Sequence, residues 1–276
     1  MKTTTALKAL SDLTSAQWGL VTTSQAALHG VTKLDISRLA KAGHLERVIQ
    51  GVYRDAGSPT SVYDEVRSYW LAARPDVLAE NRLQKIESDY VASGTTASWL
   101  MGIGDLTPQK FEFVSAYRKQ TARNLAQFRV AKIKSEDVEF AQGLPVTKPL
   151  IAIAELMRER TDLTLVARIL SDASNKIGDM TKFRESISGL SASYGLGVNQ
   201  DDALVMKLRE LAGTDSFSIL SKKIEEATSV FKEISDQIND SKIQTQLEQL
   251  RLEIANKKAI MSQQRAALEK IARVQR

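Results

Sequence analysis

Between residues 32 and 54 the chain carries side chains that bind phosphate and read base edges, at spacings that put them on common faces. Thr32 is a helix-capping residue, and the stretch 33–42 behind it reads as a short helix closed by Gly43. At helical spacing Leu34, Arg38 and Lys41 share one side, with Lys33 and Ser37 on the flank; Ile36, Leu39 and Ala40 share the other, apolar side. Arginine and lysine so placed reach guanine edges or phosphates in the major groove of duplex DNA. Arg47, Gln50 and Arg54 follow on or beside an expected β-ribbon, suited to backbone or minor-groove contact. Upstream, Thr22, Thr23 and Ser24 offer hydroxyls and helix N-terminal amides to a phosphate. Taken singly, each of these charges reads as an ordinary solvated residue. Their ordered series points to double-stranded DNA.

Other chemistry finds few residues to carry it. The chain has no cysteine and two histidines, His29 and His44, both inside this N-terminal stretch, so no catalytic residue, metal or cofactor is expected. Gly195-Leu196-Gly197 lacks the third glycine and the preceding strand of a phosphate loop. A metal-dependent nuclease is the least favoured alternative: Asp105 and Glu112 supply two acids, but Val114 stands where its lysine belongs.

The elements that must position the basic residues are legible around them. Ala6, Leu7, Leu10, Leu13 and Trp18 recur at helical spacing, and Thr22 or Thr23 caps a second helix that ends near His29-Gly30. Two short helices separated by a glycine turn have the spacing of a helix-turn-helix. Leu45, Val48, Ile49, Val52 and Tyr53 are strand formers around a Gln50-Gly51 turn, a hairpin where a wing would be. Residues 1–57 hold seven basic residues against four acidic, and 218–276 eleven against eight, so the net charge of +5 gathers at the two ends.

These residues resemble a known family. The runs from Gly19 through Ala26, Gly30-Val31-Thr32, Ser37-Arg38-Leu39, Gly43 through Val48 and Gly51-Val52-Tyr53-Arg54 look like the N-terminal domain of AbiEi-type antitoxins of type IV toxin–antitoxin systems. Gly102 with Asp105, and Val146-Thr147 with Glu155-Leu156, are similar to landmarks of that family further on. The resemblance implies a regulator that binds operator DNA, represses its own operon and counteracts a nucleotidyltransferase toxin, with no catalysis of its own. The alternative from another class is a helical interaction scaffold whose winged module binds protein.

The expected fold is α+β in three parts: a winged helix-turn-helix over 1–57, a mixed α/β domain over 58–215, and a coiled-coil-like helical tail over 216–276. In the middle part, 61–73 and 90–101 read as helices, Phe111–Val114 and Phe128–Ile133 as strands, 143–147 as extended, and 151–157, 163–170 and 201–211 as helices. In the tail, Leu220, Ile224, Ala227, Phe231, Ile234 and Ile238 form one heptad seam, and a second from Ile243 is out of register with it. A turn near Asn239-Asp240-Ser241, making a hairpin, or a long bent helix accounts for the break. The tail is read as a homodimer contact, a toxin dock, a carrier of basic residues to nucleic acid, or a hairpin packed on the middle domain. With no apolar export signal and no run long enough to span a membrane, a cytoplasmic protein is expected.

Overall fold

A computed structural model describes residues 3–85, 89–119, 125–173 and 180–213, with scattered positions between 223 and 263. They divide into two units, Met1–Asp202 and Ala203–Arg276. No helix of the described residues is long and apolar enough to cross a membrane.

The first unit opens with α1 (Thr3–Ala16), whose Ala6, Leu10 and Leu13 are buried at the spacing of one helical face. Trp18 and Gly19, both with positive φ (60° and 77°), reverse the chain into β1 (Leu20–Thr22). Then come α2 (Thr23–Leu28), α3 (Lys33–Lys41), β2 (Leu45–Ile49) and β3 (Val52–Asp55). The three strands form an antiparallel sheet in the order β1-β3-β2. The hairpin expected after α3 is therefore present. Strand β1 was not expected: three residues are too few to show an alternation. Val21, Ala26, Val31, Ile36, Leu39 and Leu45 close a core against α1.

The rest of the unit holds α4 (Asp64–Ala73), α5 (Ala79–Leu83), β4 (Val91–Ala92), α6 (Gly94–Met101), β5 (Phe111–Ser115), β6 (Ala126–Val130), β7 (Val138–Ala141), β8 (Leu144–Thr147), α7 (Pro149–Arg158), α8 (Leu163–Asp172) and α9 (Met180–Ser186). Its sheet runs β6-β5-β4-β8-β7. Pairs β5/β6 and β4/β8 are parallel, β4/β5 and β7/β8 antiparallel. Two expectations are corrected here. The apolar run from Tyr90 begins as a strand and becomes helical only at Gly94, whose φ of 52° makes the corner. Val62 precedes α4 and is 77% exposed rather than buried on its stripe.

The compositional break at 56–60 marks a change of sheet, and packing continues across it. Leu20 and Val52 of the first sheet share one core with Trp70, Phe113 and Leu144. Trp18 meets Trp70 edge-on at 6.2 Å, and the Arg67 guanidinium lies 5.2 Å from the Trp18 ring while donating to the Gln142 carbonyl at 2.8 Å. At the turn of the β7–β8 hairpin, a Cβ on Gly143 would lie 2.7 Å from Trp18 Nε1, so only glycine fits.

Helix α10 (Asp201–Leu211) begins at the end of the first unit and runs into the second, where the described positions from 223 on, Lys223, Val230, Leu252 and Ile260 among them, are helical. The predicted seam residues and the turn at Asn239-Asp240-Ser241 lie outside the described residues.

Candidate nucleic-acid interface

Helix α3 is set by its cap. Thr32 Oγ1 accepts from the Asp35 amide at 3.2 Å, and the Asp35 carboxylate accepts from the Thr32 amide at 3.1 Å and its hydroxyl at 2.6 Å. This reciprocal capping box fixes the first turn. The hydroxyl and amide of Thr32 hold the Asp35 carboxyl at about 2, below its usual 3.8. With the cap in place Ile36 and Leu39 point into the core, and Lys33, Leu34, Ser37, Arg38 and Lys41 are all exposed. Arg38 and Lys41 sit in the last turn, where positive charge suits the helix dipole. The face expected from the spacing is present. Thr32, though exposed, uses its hydroxyl in the cap.

The residues ahead of α2 are placed differently from the expectation. Thr22 is 1% exposed: its hydroxyl accepts from the Gln25 amide at 3.0 Å and donates to the Pro75 carbonyl. It is a buried cap and offers no hydroxyl to a phosphate. Gln25 in turn accepts from Gln17 Nε2 at 2.7 Å and donates to the Val77 carbonyl at 2.9 Å. Helix α2 is thereby clamped to the turn that follows α1 and to the segment leading into α5. Thr23 and Ser24 are half-buried, and the Thr23 amide donates to the Gly51 carbonyl at 2.9 Å, tying the hairpin tip to the start of α2.

On the hairpin, Arg47 and Gln50 are exposed. Arg54 is not. It alternates inward with Val52, is 7% exposed, and pairs with Glu46 and, at 3.4 Å, with the buried Asp64. The expectation of a DNA contact from Arg54 is corrected: the strand's two-residue period turns it onto α4. Arg54→Ala is expected to lower unfolding free energy by about 2 kcal/mol, because Asp64 keeps its burial and loses its closest cation. A urea midpoint that falls while DNA affinity holds is the outcome; weakened DNA binding at unchanged stability would return Arg54 to the interface. A cleft of about 510 Å³ beside the ribbon is lined by Glu46, Asp64 and Glu65 as well as Arg47 and Arg54, a mixed charge that does not extend the positive face.

A second polar cluster, at the centre of the larger sheet, was not predicted. Ser93 precedes α6 without capping it through its side chain, and two carboxylates from elsewhere take that role. Glu155 of α7 accepts from the Gly94 amide at 2.9 Å, and Glu112 of β5 from the Thr95 amide at 3.0 Å. Burial raises both carboxyls, Glu155 to about 7, against the pull of nearby Arg129 and the amides they cap. Asp105, paired with Glu112 in the nuclease alternative, is exposed and bonded to Arg168 at 2.8 Å. Among the described residues no group of three or more histidine or acidic side chains could hold a metal ion.

The exposed basic helix α3 is thus framed by α1, α2 and the β2–β3 hairpin. Residues 8–54, from within α1 to β3, match the family described as "Transcriptional regulator, AbiEi antitoxin". The resemblance read from the sequence is borne out over this stretch. In structure the chain is similar to the RV2827C protein from Mycobacterium tuberculosis, with 15% identity and a TM-score of 0.45 over 76% of this chain and 77% of that one. No curated protein matches it.

Proposed function

We propose that α1 to β3 form a winged helix-turn-helix that binds operator duplex DNA, with α3 in the major groove and Arg47 and Gln50 on the backbone or in the minor groove. The carrying observation is the exposed face of Lys33, Ser37, Arg38 and Lys41, set on a helix whose other side is locked into the core. Thr23 and Ser24 border the same region through the bond from α2 to the hairpin tip. On the reading that the match over residues 8–54 supports, the protein represses its own operon and counteracts a nucleotidyltransferase toxin as an antitoxin, acting in the cytoplasm. A homodimer through the 216–276 tail would set two such modules on two half-sites of the operator. It needs no catalytic residue for either role.

The test is salt-dependent binding to its own promoter DNA. Arg38→Ala with Lys41→Ala is expected to lower affinity ten- to a hundredfold and to flatten the plot of log K against log salt by roughly one to two units. Both side chains are exposed, so stability should hold. A folded double variant that binds like the parent would remove α3 from the interface.

A further inference from the structure

One side chain on the outward face of α3 is not explained by attraction to phosphate. Leu34 is the second residue of the helix and is 58% exposed, and its neighbours on that face, Lys33, Ser37, Arg38 and Lys41, are all polar. An exposed leucine on a protein surface is ordinary. Its position here is not neutral, because the first turn of a groove-inserted helix is the part that reaches base edges.

Leucine has neither donor nor acceptor. Pressed against N7, O6 or an exocyclic amine, it would displace water from a polar atom and give no hydrogen bond back, which is unfavourable. The apolar group that B-form DNA presents in its major groove is the C5-methyl of thymine. The residue beside Leu34 that could accept from a cytosine amine, Asp35, is 5% exposed with its carboxylate bonded to Thr32.

We infer that Leu34 is a specificity-determining residue that packs on a thymine methyl; this rests on the operator-binding reading above and says what that operator contains. Arg38 lies four residues on, roughly 6 Å further along the helix axis, or about two base-pair steps at ~3.4 Å each. The bound site therefore carries a thymine within about two steps of the base or phosphate that Arg38 reaches.

The experiment uses the full chain and duplexes selected from a random-sequence library, each thymine then replaced singly by deoxyuridine, which removes the methyl alone. One position in each half-site should lose affinity about fourfold, the effect of one buried methyl group. Leu34→Ala should bind the thymine duplex several-fold more weakly and show no loss on that replacement. Leu34→Asn should shift the preference there from thymine towards adenine, whose N6 and N7 an amide can bond. Indifference of the parent protein to every deoxyuridine, or a Leu34→Ala variant that keeps the sensitivity, overturns the inference and leaves DNA binding standing. A library that yields no salt-sensitive duplex overturns both.

Discussion

Arg82→Ala is expected to lower the unfolding free energy by about 3–5 kcal/mol, the range for leaving one member of a buried ion pair alone. The Arg82 side chain has no exposure, and its fork meets Asp89 with Nε at 2.9 Å and Nη2 at 2.6 Å. The remaining nitrogen, Nη1, donates to the Trp70 carbonyl at 2.6 Å, and the guanidinium lies 3.4 Å from the centre of the Trp70 ring. Burial draws the guanidinium below its usual pKa, and Asp89 opposes that shift. Asp89 also accepts from the Tyr90 amide at 2.7 Å, so it cannot swing to solvent without uncapping β4. Removing the arginine leaves that carboxylate 2% exposed with, among the described residues, Arg74 3.7 Å away to balance it. Lysine should rescue little, since a point charge fills neither the fork nor the stack on Trp70. The denaturant midpoint reads the effect, and a variant that unfolds where the parent does would mean Arg74 replaces Arg82.

Arg82 stands on α5, directly behind the segment whose Val77 carbonyl and Ala79 amide hold Gln25 and Gln17. The support of α2 thus reaches into the larger sheet, and this is the part least visible in the sequence. Periodicity of 3.6 and a capping threonine were enough to orient α3, because its cap, its apolar face and its basic face are all local. Arg54 was misplaced although its signal was present: Val52 is apolar, and a residue two further along a strand shares its face. Of the two threonines that could cap α2 it is Thr22, and it is buried where an exposed hydroxyl is expected, since the Pro75 carbonyl that covers it is brought in by a distant segment. Strand β4 hid inside an apolar run that continues into α6, where two residues carry no period. The sheet order β6-β5-β4-β8-β7 joins strands far apart in sequence, which no local pattern encodes. Glu155 did leave a trace, an acid within the buried run Ala152, Ile153, Ala154, Leu156, Met157, but its partner amide on α6 could not be inferred from that.

Glu155→Gln is expected to change how stability depends on pH, by up to about 3 kcal/mol at the alkaline end. The Glu155 carboxyl is raised from 4.5 to about 7, burial being the chief cause, so the folded protein holds a proton there that the unfolded chain releases. Its contribution is complete below pH 4.5 and is lost as pH rises through 7. Glutamine keeps an oxygen to accept from the Gly94 amide and does not titrate. The variant should match the parent near pH 4.5 and exceed it at pH 8, as read from urea midpoints across that range. Glu112, raised in the same direction, remains in the variant and leaves a residual slope of the same sign. Asp35, lowered to about 2, acts oppositely, its contribution being present above 3.8 and lost as pH falls through 2, outside this window. Arg129, 4.0 Å from Glu155 and bonded also to Glu159, is the group that could reverse the result. Parallel curves for parent and variant between pH 5 and 8 would mean that Arg129 keeps Glu155 ionised in the fold, and that the cap of α6 is a carboxylate at every pH tested.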